Sequence, residues 1–173
     1  MTASIDTPSG NLCLIGMPGA GKSTVGAMLA ERMGKAFVDT DDLIRTTTGC
    51  SLQYIVDNDG YQALRKIEQD VITGLQASNH QVIATGGSAV YSDAAMSHLA
   101  SLATIVYLVV PYEVIEQRIH DLDTRGLARR ADQSLANLYE ERAPLYAKHA
   151  RIHVDANDDP ATVTERIIDS LSR

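Results

Sequence analysis

Apolar residues along the chain fall into two alternating rhythms: short unbroken runs, and longer stretches in which they recur three or four positions apart. The runs Leu12-Cys13-Leu14-Ile15, Ala36-Phe37-Val38, Gln81 to Ala84, Thr104 to Val109 and Ile152-His153-Val154 read as short, fully buried strands. Between them lie helical patterns. Val25, Met28, Leu29 and Met33 share one face of a helix that Gly34 caps. Leu43 to Thr48 is a short helical stretch stopped by Gly49, and Ser51 is placed to cap a second one. Leu64, Ile67, Val71, Ile72 and Leu75 define the inner face of a helix from Tyr61 to about Gln76. Ser92 or Asp93 starts the next. Pro111 sits like a first-turn proline before Val114, Ile115 and Ile119. A helix over Ser134 to Lys148 follows, and Asp159-Pro160 opens a last one with Val163, Ile167, Ile168 and Leu171 facing inward. Strict alternation of strand and helix predicts a three-layer α/β fold, a five-stranded parallel sheet with helices on both faces. It is read as one domain, residues 11–173, behind a loose polar tail, residues 1–10.

Composition narrows this picture. With 173 residues, 45% of them hydrophobic, the chain can bury one full core. A net charge of −7 argues against a nucleic-acid partner, which needs a basic face. Anionic ligands must then be held by local clusters of Arg and Lys. Two cysteines, Cys13 and Cys50, have neither metal-site spacing nor a disulfide framework, and the cytoplasm is the expected compartment. No apolar run suits a bilayer span, and the first residues lack the apolar core of a signal peptide; no membrane partner is expected. His149 and His153 are four apart, but one ends a helix and the other lies on a strand, so the histidines offer no metal site.

The first strand runs into Gly16 to Thr24, G-M-P-G-A-G-K-S-T, the pattern G-x-x-x-x-G-K-[ST] between a strand and a helix. Glycines let successive N–H groups converge on phosphate oxygens, and the helix N-terminus adds its partial positive charge. Lys22 spans the β- and γ-phosphates of a nucleotide, and Ser23 ligates Mg²⁺. Asp39, Asp41 and Asp42 follow the second strand, where an open α/β sheet binds its ligands. In an extended segment Asp39 and Asp41 point the same way; helix capping is the alternative, and Asp42 can do only that. Arg65 and Glu68 lie three apart on one helix, and a solvated ion pair is the plain reading. Gly86-Gly87 at a strand's end suggests either close approach of backbone to a ligand or an ordinary turn. Arg125, Arg129 and Arg130 around Gly126 suit a mobile cover or any solvated loop.

Taken in order, G-M-P-G-A-G-K-S-T-V-G, F-V-D-T-D-D-L-I, A-L-R-K-I-E, I-A-T-G-G-S-A-V, R-G-L and E-R-A-P-L-Y resemble the shikimate kinases of the nucleoside-monophosphate-kinase-like P-loop fold, over nearly the whole chain after the tail. The resemblance implies a lid at about 120–133, an acceptor-binding segment at about 41–76, and transfer of the γ-phosphoryl of ATP to the 3-hydroxyl of shikimate with Mg²⁺. It implies that Lys22, Asp41 and Arg125 are catalytic, with Asp41 orienting or deprotonating the attacking hydroxyl. Gly19, Ala20, Gly21, Lys22, Ser23 and Thr24, with Arg118 and Arg125, would bind the nucleotide, and Ser23 and Asp39 would hold the metal. Arg65 and Arg142 would clamp the acceptor's carboxylate beside Asp41, with Gly86 and Gly87 offering backbone N–H groups. A monomer is the default for so small a kinase.

The chain departs from the family's usual pattern at several places. Ser88 stands where a third glycine is usual, Leu64 and Val56 where phenylalanines are, and Tyr61 where a glutamate is. The lid reads Arg125-Gly126-Leu127-Ala128 rather than Arg-Pro-Leu-Leu. From these, one expects strain at Ser88, a reshaped acceptor wall and a looser lid hinge, since glycine frees a torsion that proline fixes. A kinase of another polyhydroxy acid such as gluconate fits the same residues. A non-catalytic nucleotide switch is the reading from another class; no N-K-x-D stretch for guanine occurs, and a switch has no use for an arginine clamp.

Overall fold

A computed structural model describes residues 10–76, 78, 80–120 and 126–172. Five strands, β1 (Leu12–Ile15), β2 (Ala36–Asp39), β3 (Gln81–Ala84), β4 (Thr104–Val109) and β5 (Ile152–Asp155), form one sheet in the order β2-β3-β1-β4-β5. All neighbours are parallel, with Leu14 opposite Ala84 and Val106 in the central three strands. Parallel pairing forces each connection to cross a face of the sheet, and right-handed crossovers decide which face. From β1 the chain passes over β3 to β2 through α1 (Lys22–Met33), and then turns back. Every later crossover runs the other way. That puts α4 (Tyr61–Thr73), α5 (Asp93–Leu102) and α7 (Leu135–His149) on the opposite face from α1, while α8 (Pro160–Leu171) packs beside α1. The reversal of direction at β1 opens a crevice at its carboxyl end, where such sheets bind ligands.

The predicted start signals hold in detail. Side chains of Ser51, Ser92, Ser134 and Asp159 accept from backbone N–H groups to open α3 (Leu52–Asp59), α5, α7 and α8, and Gly34 closes α1 with φ 61°. Between α6 (Tyr112–Arg118) and β4, Pro111 stands one position before the helix rather than inside it. Two expectations fail. The second strand is not buried: β2 is an edge strand, and Phe37 is 36% exposed, because the sheet order leaves nothing beyond it. The helix after it, α2 (Thr40–Thr48), begins three residues before Leu43, capped by Asp39 and not by Asp42, which pairs with Arg45 instead at 2.5 Å.

Two apolar cores result. The larger fills both sides of the sheet; the smaller joins Ile44, Leu52, Ile55 and Leu64 from α2, α3 and α4 to Ala128. The segment from Gly126 is thus docked on α3. Gly126 has φ +62°, and a Cβ there would lie 2.5–2.7 Å from the Leu52–Gln53 backbone. Its N–H donates to Gln53 Oε1 at 2.6 Å. Proline, with φ near −65° and no N–H, fits neither requirement. What the glycine supplies here is close approach. Among the described residues no helix is long and apolar enough to cross a membrane. Nearly all of the expected tail, residues 1–9, and residues 121–125 of the expected lid, Arg125 among them, lie outside the described residues.

Candidate active site

The loop after β1 wraps the N-terminus of α1, with Gly19 and Gly21 at φ 81° and 92°. Lys22 is 8% exposed. Its ammonium group donates back to the carbonyls of Gly16 and Met17, each at 2.8 Å. Burial pulls its pKa down to about 8 against the opposing pull of Asp41. Arg118 Nη1 reaches across from α6 to the Gly19 carbonyl at 3.1 Å, so the end of α6 braces the loop.

Beside the loop, Ser23 Oγ donates to Asp39 Oδ2 at 2.6 Å, while Asp39 Oδ1 accepts from the N–H of Asp41 at 2.9 Å. One carboxylate therefore caps α2 and holds the loop's serine. Asp41 does not lie on an extended segment, as its spacing from Asp39 suggested. It sits in the first turn of α2, where the helix sends it into the crevice. Burial, and then Asp39 nearby, raise its pKa. Among the described residues no cluster of three His, Cys, Asp or Glu side chains could hold a metal alone. Mg²⁺ in phosphate sites needs only one or two protein oxygens besides phosphates and water, and Ser23 with Asp39 is such a pair of hard donors.

Gly19, Gly21, Lys22, Ser23 and Thr24 border a cavity of about 320 Å³ whose other walls include Asp41, Gly86, Gly87, Ala128 and Arg142. Ala20 is buried under the loop. Arg142 is 1% exposed on α7. Arg65, on α4, is not among the residues that border this cavity. Both guanidiniums nevertheless converge, because Arg65 Nη2 and Arg142 Nη2 donate to the same carbonyl oxygen, that of Ala128, at 3.1 and 2.9 Å. Neither makes an ion pair with a carboxylate among the described residues.

The expected pairing of Arg65 with Glu68 does not occur. Glu68 is 3% exposed; the Ser88 hydroxyl donates to its Oε2, and its Oε1 is buried with no partner. Burial pushes the carboxyl up to about 7, against the hydrogen bond from Ser88. Glu68 is a site residue beyond those expected from the sequence, although its signal is present there: Leu64, Glu68 and Ile72, four apart, form the buried stripe of α4, so a carboxylate stands in the middle of an apolar row. Ser88 corrects a second expectation. Its backbone is right-handed, φ −90° and ψ −3°, so serine costs no strain there, and its hydroxyl has acquired a partner.

Gly86 and Gly87 serve closeness. A Cβ on Gly86 would collide with Glu68 Oε1 and lie 3.0 Å from Asp41 Oδ1; one on Gly87 would lie 2.8 Å from Arg142 Nη1. The N–H of Gly86, expected to face an acceptor, is taken by Thr40 Oγ1 at 3.1 Å. That leaves Gly87 to offer one.

A family model described as "Shikimate kinase" matches residues 18–172. A shikimate kinase of Nostoc punctiforme is 38% identical over 164 residues, 93% of this chain and 90% of that one. Among solved structures, a shikimate kinase from Acinetobacter baumannii, in complex with shikimate, is 32% identical with a TM-score of 0.85, covering 93% of this chain and 92% of that one. A gluconokinase from Sinorhizobium meliloti, 17% identical with a TM-score of 0.54 over 96% and 93%, shares the fold.

Proposed function

The chain belongs to the shikimate kinase family, and from that membership, with the site above, we infer that it is an ATP-dependent kinase of shikimate. It transfers the γ-phosphoryl group of ATP to the 3-hydroxyl, giving shikimate 3-phosphate and ADP on the way to the aromatic amino acids. The observation that carries this reading is that the phosphate loop with Lys22 shares one cavity with Asp41 and Arg142. A nucleotide and a hydroxylated carboxylate can therefore meet in it.

The roles follow from chemistry. Lys22 leaves the Gly16 and Met17 carbonyls for the phosphates and neutralises them. Ser23 and Asp39 would hold Mg²⁺, which would supply positive charge to the nucleotide's phosphates. Asp41, whose raised pKa makes it a better proton acceptor, orients the attacking hydroxyl and takes its proton. Arg65 and Arg142 read the carboxylate through charge-assisted bonds, and Gly87 adds an N–H. Arg118 steadies the nucleotide loop. The segment at about 120–133 is the lid; it brings Arg125 to the transferring phosphoryl group and keeps water out. Residues 41–76 form most of the acceptor side. Mutual positioning and charge stabilisation, rather than covalent chemistry, account for the acceleration.

The acceptor wall differs from the usual family pattern at Val56, Leu64, Tyr61 and Ser88, so the substrate test is direct. ADP release with shikimate, gluconate and related hydroxy acids should show shikimate preferred; no rate above background with shikimate would overturn the assignment. We further propose a monomer in the cytoplasm without a nucleic-acid or membrane partner, a reading supported by the net charge of −7 and by the unpaired state of Cys13 and Cys50.

A further inference from the structure

Two guanidiniums that share one carbonyl oxygen repel each other: burial first, and then Arg142, disfavour the charged form of Arg65, against the pull of Tyr91. With no carboxylate paired to either among the described residues, other groups hold them at a common focus. Besides the Ala128 carbonyl, Tyr91 touches both, at the end of a short 3₁₀ turn, Ala89–Tyr91, that follows Ser88. The Arg65 guanidinium carbon lies 3.8 Å from the centroid of the Tyr91 ring, and that of Arg142 lies 5.2 Å from it. Arg142 Nε also donates to the Tyr91 hydroxyl oxygen at 3.2 Å. The hydroxyl in turn donates to Glu141, which accepts from Gln133 at 3.0 Å through its other oxygen. Tyr61 lies over Arg65 as well, at 5.0 Å.

Each contact has a physical sense. A ring face attracts a cation, most strongly where water is excluded. A phenol oxygen that gives its proton to a carboxylate gains negative character and becomes a better acceptor for Arg142 Nε. Glu141 thus reaches Arg142 Nε through the phenol and favours the charged form of Arg65 across space, while its oxygens are hydrogen-bonded to Tyr91 and Gln133. Arg65 Nε is buried without a partner, so this guanidinium keeps donor capacity unspent.

We propose that Tyr91 is the positioning residue of the acceptor-carboxylate site: its ring orients Arg65 and its hydroxyl orients Arg142, so that both guanidiniums are held toward one focus that a carboxylate can take over from the Ala128 carbonyl. The inference rests on the reading of Arg65 and Arg142 as the carboxylate clamp. Ordering a long side chain at binding costs affinity, and a clamp ordered beforehand avoids that cost.

The test compares steady-state kinetics of Tyr91→Leu, Tyr91→Phe and Arg65→Ala with shikimate and with its uncharged methyl ester. Tyr91→Leu should raise KM for shikimate about tenfold, the size of a desolvated cation–π contact. Its KM for the ester and for ATP should stay within about twofold of wild type, as a loss confined to carboxylate reading requires. Tyr91→Phe, which keeps the ring and loses the hydroxyl, should recover about half of that effect on a logarithmic scale; being nearly isosteric, it also serves if the leucine variant does not fold. An unchanged shikimate KM in Tyr91→Leu, or an equal rise for acid, ester and ATP, would overturn the proposal. If Arg65→Ala leaves the preference for acid over ester intact, the clamp reading itself fails; if it abolishes that preference while both Tyr91 variants keep it, only the role of Tyr91 fails.

Discussion

The two halves of the cavity are built in different ways. The proposed nucleotide side is one contiguous stretch, Gly16 to Thr24, in which backbone geometry would do the binding, and Lys22 is satisfied by carbonyls of its own loop. The acceptor side is assembled from α2, α4, the Gly86–Ser88 turn, the Ala128 segment and α7, and it works through side chains whose partners are far away in sequence. A contiguous loop tolerates change around it as long as the strand and helix endure. An assembled wall transmits each substitution to several neighbours. Catalytic power should therefore be concentrated on the phosphate side, and selectivity spread across the acceptor side.

The sharpest break of this contrast is Arg125→Ala. If Arg125 meets the transferring phosphoryl as proposed, its loss should cut turnover by about 10³ while leaving shikimate binding nearly intact. Turnover within a factor of a few of wild type, in single-turnover kinetics, would remove the residue from the phosphate side.

Arg65→Ala and Arg142→Ala come next, with the opposite profile. Each removes charge-assisted bonds of about 1.5–3 kcal/mol, so shikimate affinity should fall about 10- to 100-fold. ATP affinity should be unchanged when each ligand is titrated by calorimetry. Equal losses for both ligands would mean that the two halves are not separable.

The smallest effect tests the wall from within. Burial raises the Glu68 carboxyl from the usual 4.5 to about 7, so ionisation is disfavoured in the folded protein. The stability tied to its neutral form is complete below about pH 4.5 and is lost as pH rises through about 7. Glu68→Gln cannot ionise, and its stability should be flatter over that window. The difference should be on the order of 1 kcal/mol, or about 3 °C in Tm. Parallel Tm profiles for the two proteins would remove Glu68 as a titrating group.

The same contrast explains what could be read from the sequence. β4 has the expected bounds, Thr104–Val109, and α1 ends at the expected glycine, because these depend on local pattern and local caps. The phosphate loop was legible for the same reason. The exposure of β2 depends on its place at the sheet's edge, which apolar content alone does not reveal. Asp41 reaches the cavity from a helix and not from a strand, so the expected position was right and the reason for it was wrong. Glu68 was assigned to Arg65 because the two are helical neighbours; the structure gives it to Ser88, twenty positions on. The meeting point of the two arginines is a backbone carbonyl, an atom that no residue type announces.

One consequence of the buried lysine can be weighed on a calorimeter. An ammonium group held near pKa 8 is partly deprotonated in mildly alkaline buffer, and triphosphate drawn against it restores the proton. Nucleotide capture at about pH 8 should therefore take up protons from the medium. The heat observed for ADP or ATP binding should then differ between Tris and phosphate by the gap in their ionisation enthalpies multiplied by the protons taken up. In Lys22→Met that buffer dependence should shrink, whatever affinity remains.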